Sequence, residues 1–221
     1  MARKLILGSY DTIDNGPWTL SALQLTDPEY QQNFITVPGR SGPLDLSAVL
    51  TDGEPVYGPR TLTATLESSE GTREDREELI SIITNWLSGW RMNIVHPDFP
   101  GRYLTGRVHI EKLYSDLAHA AVAVSAICDP WKYAEFETEV VLTASAETQT
   151  ALLPNNGRMT VVPLLTIEGD GASVRLVFGS ASWTLGPGTY QLPDLRLQQG
   201  GATMTYSGTG TVKLTYREAV L

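Results

Sequence analysis

The sequence predicts a mainly β chain in two domains: an α+β unit, built as a β-sandwich or split barrel with one helix, followed by a second β-sandwich. Three observations predict it. Gly and Pro are frequent, 20 and 13 in 221 residues, which suits short strands joined by tight turns. Strict alternation of apolar and polar residues recurs, most plainly over Thr61–Glu67 and Thr211–Arg217, and period two marks a half-buried strand. Helical periodicity appears once, at 73–88.

In chain order, residues 4–25 read as two short strands around the turn Asp14-Asn15-Gly16-Pro17. Residues 37–47 hold two Gly and two Pro, which makes them a shaped loop rather than a central strand. In the strand 61–67, Leu62, Ala64 and Leu66 point one way and the threonines the other. Thr72 and Asp75 take the N-cap and N3 positions of the helix. Glu74, Asp75, Glu77 and Glu78 lie in its first turns, where the helix dipole favours them. Leu79, Ile82, Ile83 and Trp86 form its expected buried stripe, and Gly89 its left-handed end. Strands follow near 91–95, 102–113 and 118–127, the first two joined by the turn 97–101. Cys128-Asp-Pro-Trp-Lys132 then breaks the pattern.

The domain boundary is placed at 135/136. Beyond it, seven short strands are expected near 138–143, 147–153, 160–167, 172–178, 181–185, 201–206 and 209–217, with Asn156-Gly157 as a hairpin turn.

Composition limits function. Hydrophobic residues make up 42% and charged residues 19%, enough for real cores. The formal net charge is −9 and the pI about 4.8, so the basic surface needed to grip nucleic-acid phosphates is absent. Residues 1–135 carry 11 Lys/Arg against 18 Asp/Glu, and residues 136–221 carry 5 against 7; the acidity belongs to the first domain. The start of the chain is too short in apolar residues for a signal peptide. No segment approaches the ~20 apolar residues of a membrane helix, so no membrane insertion is expected.

No constellation for chemistry stands out, and the chain reads as a non-enzyme with no catalytic residue, cofactor or metal. Cys128 is alone, beside Asp129, which disfavours a thiolate. His96-Pro97-Asp98 reads as a turn. Glu135, Glu137 and Glu139 share one side of an extended segment and read as a solvated face or a guard against edge pairing. Gly169-Asp-Gly171 and Gly208-Thr-Gly210 lack the spacing and the following helix of a phosphate loop. Gly39-Arg-Ser-Gly42 is only superficially a nucleophile elbow. Trp183 and Tyr190 read as core or rim packing before they read as a sugar platform.

Several segments, in order, carry a family resemblance: Val37-Pro-Gly-Arg-Ser-Gly-Pro-Leu-Asp-Leu-Ser47, then Tyr57-Gly-Pro-Arg60, the single helix, Asp98 to Val108, Cys128 to Lys132, and Asn155-Asn-Gly157 with Pro163. Together they resemble the distal tail (Dit) proteins of long, non-contractile-tailed bacteriophages, over nearly the whole chain. The resemblance implies a galectin-like second sandwich. It implies a hexameric ring in the virion tail, assembled in the host cytoplasm, between the tail tube protein and the tip or hub protein. DNA would pass through the bore without being specifically bound, and the outward domains would hold receptor-binding proteins. The alternative is a carbohydrate-binding adhesion module of the tail. A ring needs two unlike patches on each subunit. The candidate interface residues are Val37, Pro38, Arg40, Leu44, Leu46, Tyr57 and Arg60.

Overall fold

The computed structural model describes residues 3–51 and 53–221. The chain is mainly β with one α-helix among the described residues. It divides into two compact units, residues 1–132 and 133–220.

The first unit runs β1 (Ile6–Leu7), β2 (Tyr10–Asp11), β3 (Thr19–Leu25), β4 (Phe34–Ile35), β5 (Leu44–Asp45), β6 (Arg60–Ser68), α1 (Arg73–Leu87), β7 (Arg91–Val95), β8 (Arg102–Ser115) and β9 (Ala120–Cys128). Its antiparallel sheet has the order β2-β1-β7-β8-β9-β6-β3. Where two strands are expected before residue 25, there are three. Gly8, at φ 64°, turns the chain back after Leu7 and splits the first strand into a two-residue hairpin.

Alternation settles which sheet face is inside. Leu62, Ala64 and Leu66 of β6, Val122, Val124 and Ala126 of β9, and Val108 and Ile110 of β8 are buried together with Ile80, Ile83 and Leu87 of α1. Thr72 caps α1 by accepting from the Asp75 N–H at 3.2 Å, and the Asp75 carboxylate accepts from the Thr72 N–H at 2.8 Å. Gly89, at φ 88°, ends it and donates to Val108 O.

The buried stripe of α1 differs from the one expected. It consists of Arg76, Ile80, Ile83 and Leu87, while Ile82 and Trp86 are exposed, Trp86 by 63%. The reason is Arg76. Its guanidinium donates to Gly71 O (2.7 Å), Asp116 O (3.1 Å) and Leu117 O (2.9 Å). Main-chain carbonyls take up both terminal nitrogens of the buried cation, while its Nε has no partner, so a charged residue holds a core position on the helix face turned inward.

Lys132–Ala134 (β10) leads into the second unit: β11 (Thr138–Ala144), β12 (Gln149–Leu153), β13 (Leu164–Phe178), β14 (Ala181–Leu185), β15 (Gly188–Gln191), β16 (Ala202–Tyr216) and β17 (Ala219–Val220). Two pairs of expected strands are each one long strand. β13 and β16 form a ribbon whose register shifts between Glu168 and Ser173. One half of the ribbon carries β11 and β15, and the other carries β12 and β14. Leu165, Ile167, Val212 and Leu214 from the first half share a core with Val174, Leu176, Met204 and Tyr206 from the second. The two layers of the sandwich are thus one folded ribbon.

Glycine allows the fold. Gly208 and Gly210 have φ of 124° and 119°. A Cβ on Gly208 would stand 2.0 Å from Ser173 O, and one on Gly210 would stand 2.7 Å from the Ala172 Cβ. Asn156-Gly157 is not a hairpin turn, because β12 pairs with β16 rather than with β13. Asn155 is buried there and donates to Met159 O and Leu197 O while its carbonyl accepts from the Gly157 N–H. Gly157 is glycine because Ala219 backbone lies against it.

Two outcomes are expected. Gly208→Ala should lower unfolding free energy by at least about 2 kcal/mol, whereas Gly171→Ala, facing open space, should lose about 1 kcal/mol; urea titration compares them. The Asp75 carboxyl is held below its ordinary value of 3.8 by the Thr72 backbone N–H and then the Thr72 hydroxyl. A depressed folded value means stability that is complete above pH 3.8 and fades as pH falls through the folded value. Asp75→Asn should therefore lower the melting temperature at neutral pH, with the difference from wild type shrinking in acid.

Candidate subunit interface

Between β3 and β6 the chain leaves the sheet as an arm. Its base is an aromatic stack: Tyr30 and Tyr57 form an isolated bridge with rings 6.0 Å apart, and Tyr57 meets Trp131 edge-on at 5.7 Å. Gln31 N–H donates to Val56 O and Gly58 N–H to Glu29 O, both at 2.8 Å. Further out, Leu46 N–H donates to Asn33 O, Asn33 N–H donates to the Ser47 hydroxyl, and β4 pairs with β5. The hydroxyl of Ser47, then its N–H, holds the Asp45 carboxyl below its ordinary value. Gly39 and Gly42, both at positive φ and with open space around them, shape the tip.

The arm pairs its own backbone but leaves its apolar side chains uncovered. Tyr30, Phe34, Ile35, Val37, Val49 and Leu50 are all exposed, Leu50 by 98%. Large apolar side chains left exposed together on one segment make it a candidate interaction surface.

The structure distributes the residues named from sequence along this arm. Val37, Pro38 and Arg40 are exposed at its tip. Leu44 and Leu46 are half-buried in its ladder, and Tyr57 is half-buried at its base. Arg60 is buried beneath, 2% exposed, with Nε donating to Pro130 O at 2.6 Å and Nη1 4.0 Å from Asp27. Arg60 therefore anchors the arm from inside the unit. Phe34, Ile35, Val49 and Leu50 escaped sequence reading; the signal available was apolar pairs inside a segment otherwise rich in polar, Gly and Pro residues.

The groups weighed for chemistry have structural partners. His96 is buried and stacked on Phe99, and its Nδ1 accepts from the Asp98 N–H. Burial keeps its pKa below the ordinary histidine value. Burial, then Asp129, pushes the Cys128 thiol up to about 11. Glu137 pairs with Arg217 and Glu139 with Lys213 along the edge strand β11. Trp183 and Tyr190 pack against the second core. No helix of the described residues is long and apolar enough to cross a membrane.

No family model and no curated protein matches the sequence. Among solved structures, the chain is similar to the Dit protein (gp 19.1) of phage SPP1, described as a paradigm of the hub adsorption apparatus in phages infecting Gram-positive hosts. The likeness covers 100% of both chains with a TM-score of 0.70 at 14% identity.

The chain has the Dit fold. At that identity what is shared is the path of the backbone, while the side chains that fill it are this chain's own. In this version of the Dit fold, the buried Cys128 ends β9 directly opposite Gly106 of β8, and a Cβ on Gly106 would stand 2.6 Å from its sulfur. The glycine opposite makes room for the thiol, and the thiol leaves no route for a reagent. Cys128 should therefore resist a thiol-specific reagent at neutral pH and react stoichiometrically once the chain is unfolded, read by absorbance.

Proposed function

We propose that this chain is a structural subunit of a bacteriophage tail. In this reading it closes into a hexameric ring at the distal end of the tail tube and joins the tube protein to the tip or hub protein. Tail DNA passes through the bore. The galectin-like outer domains hold receptor-binding proteins, and the chain performs no catalysis. The observation that carries the reading is the full-length likeness in fold to the hub protein of SPP1. The exposed apolar arm supports it, because a cyclic assembly needs a surface on each subunit that only a neighbour covers.

Charge supports it too. The first 135 residues hold 18 acids against 11 bases, and a wall of like charge lets a duplex slide without being held. The edge strand β3 is uncharged and lacks proline, so two of the usual guards against pairing with another chain are missing, while its register with β6 shifts between Leu20 and Ala22. Its open edge fits contact with a neighbour.

Wild-type protein should sediment as a closed ring and appear annular in negative stain. Phe34→Asp with Val37→Asp should shift it to smaller species without lowering its melting temperature. Wild-type protein that stays monomeric as concentration rises would refute the reading. Specific glycan binding by Trp183 or Tyr190 would favour the adhesion-module alternative.

A further inference from the structure

In the turn between β7 and β8, Asp98 holds two other residues at once. Its N–H donates to His96 Nδ1 at 3.1 Å. Its carboxylate accepts from Arg3 Nη2 through both oxygens, at 2.7 and 2.6 Å. The first contact fixes the state of the ring. A backbone N–H can only donate, so Nδ1 is the bare nitrogen and the neutral imidazole carries its proton on Nε2. We infer that this turn is an acid-sensitive switch, in which a proton taken up from solvent at His96 Nδ1 moves the Asp98 carboxylate from Arg3 to His96 and releases the segment ahead of β1 that Arg3 ties down.

The geometry leaves the protonated ring one way to settle. A proton on Nδ1 turns it into a donor facing the Asp98 N–H, also a donor, so the present contact is lost. Asp98 Oδ2 stands 4.0 Å from Nδ1, beyond hydrogen-bond length and within reach of a small rotation of the side chain. That oxygen is the one Arg3 holds at 2.6 Å. Neutral His96 has no charge with which to compete for it, and the imidazolium has.

The surrounding charges decide which cation wins. Phe99 stacks on the imidazole with ring centres 4.6 Å apart, and Lys132 Nζ of β10 lies 4.4 Å from the centre of the same Phe99 ring. Arg102, at the far end of the turn, donates to Lys132 O. Among the described residues, Asp98 is the acid whose charge acts on His96, and Arg3 and Lys132 are the cations. The side chains of Arg3 and Asp98 are 54% and 53% exposed, so water solvates a released Arg3 at little cost. His96 is 5% exposed, and a buried imidazolium has no such substitute. The carboxylate is worth more to the buried cation.

The window follows from linkage. Burial keeps the His96 pKa below the ordinary 6.5, with Asp98 working against that shift and Arg3 and Lys132 adding to it. Folded protein therefore takes up this proton later than unfolded chain does, and stability that is complete above pH 6.5 is lost as pH falls below it. This concerns a single subunit and does not depend on the ring.

Two measurements test it. Imidazole nitrogen NMR should show His96 with a bare Nδ1 at pH 7.5, titrating below the other two histidines. A double-mutant cycle of Arg3→Gln and Asp98→Asn should then give a coupling of about two- to fivefold in the unfolding constant above that titration and none below it. His96→Asn supplies the control, because an asparagine carbonyl can accept from the N–H two residues on and takes up no proton. In that background the coupling should persist at the lower pH. A proton on Nδ1 at pH 7.5, a His96 that stays neutral until the chain unfolds, or coupling that survives its protonation would overturn the switch. So would coupling that fades equally in His96→Asn, which would place the titration elsewhere.

Discussion

The guanidinium of Arg60 sits where the arm meets the sheet, and the arm's direction depends on it. A buried cation is unfavourable unless its N–H groups are occupied. Here Nε donates to Pro130 O, and Asp27 lies within reach of Nη1. Pro130 lies just beyond the end of β9, and Asp27 begins the arm. One side chain therefore holds the arm's entry against the segment that closes the first unit. Close by in sequence, Tyr57 meets Trp131 edge-on, a second link between the arm's return and the same closing segment.

Arg76 does the same for the other side of the first unit. Its contacts with Gly71, Asp116 and Leu117 bind the start of α1 to the turn between β8 and β9. Arg76 is held by main-chain carbonyls alone, with its Nε left without a partner, whereas Arg60 has one such carbonyl, Pro130 O, and Asp27. Removing Arg76 would leave those carbonyls without that donor, so the loss would exceed that of one ordinary hydrogen bond. In the second unit Asn155 and Arg217 bind main-chain carbonyls in the same way. A steric constraint is added: at Gly208 and Gly210 two backbones approach closer than any side chain permits.

Much of this was legible in the residues, and the failures share a cause. The alternation in β6 and β9, the Thr72–Asp75 cap and the Gly89 end are local patterns whose geometry is complete within a few residues. The face of α1 was misread because Arg76 looks like a solvent residue until the carbonyls that receive it are known. The ribbon was split into short strands because Gly169, Gly171, Gly208 and Gly210 look like turns. Only the partner strand shows that pairing continues through the bend. In the arm, Val37 and its neighbours stood out for their Pro and Gly. Phe34 and Leu50 did not, because an exposed apolar residue and a buried one are identical in sequence.

That last ambiguity bears on assembly. A large apolar side chain moved from water into a contact gains about 1.5–3 kcal/mol. The arm leaves Tyr30, Phe34, Ile35, Val37, Val49 and Leu50 exposed. A single contact must first overcome the lost freedom of association, which consumes much of that gain. In the proposed ring, the last subunit to enter would make two contacts while losing its freedom once. Closure would then be favoured over open chains, provided the angle between a subunit's two contact surfaces is fixed. A buried side chain such as Arg60, held at the arm's base, is the kind of feature that can fix such an angle.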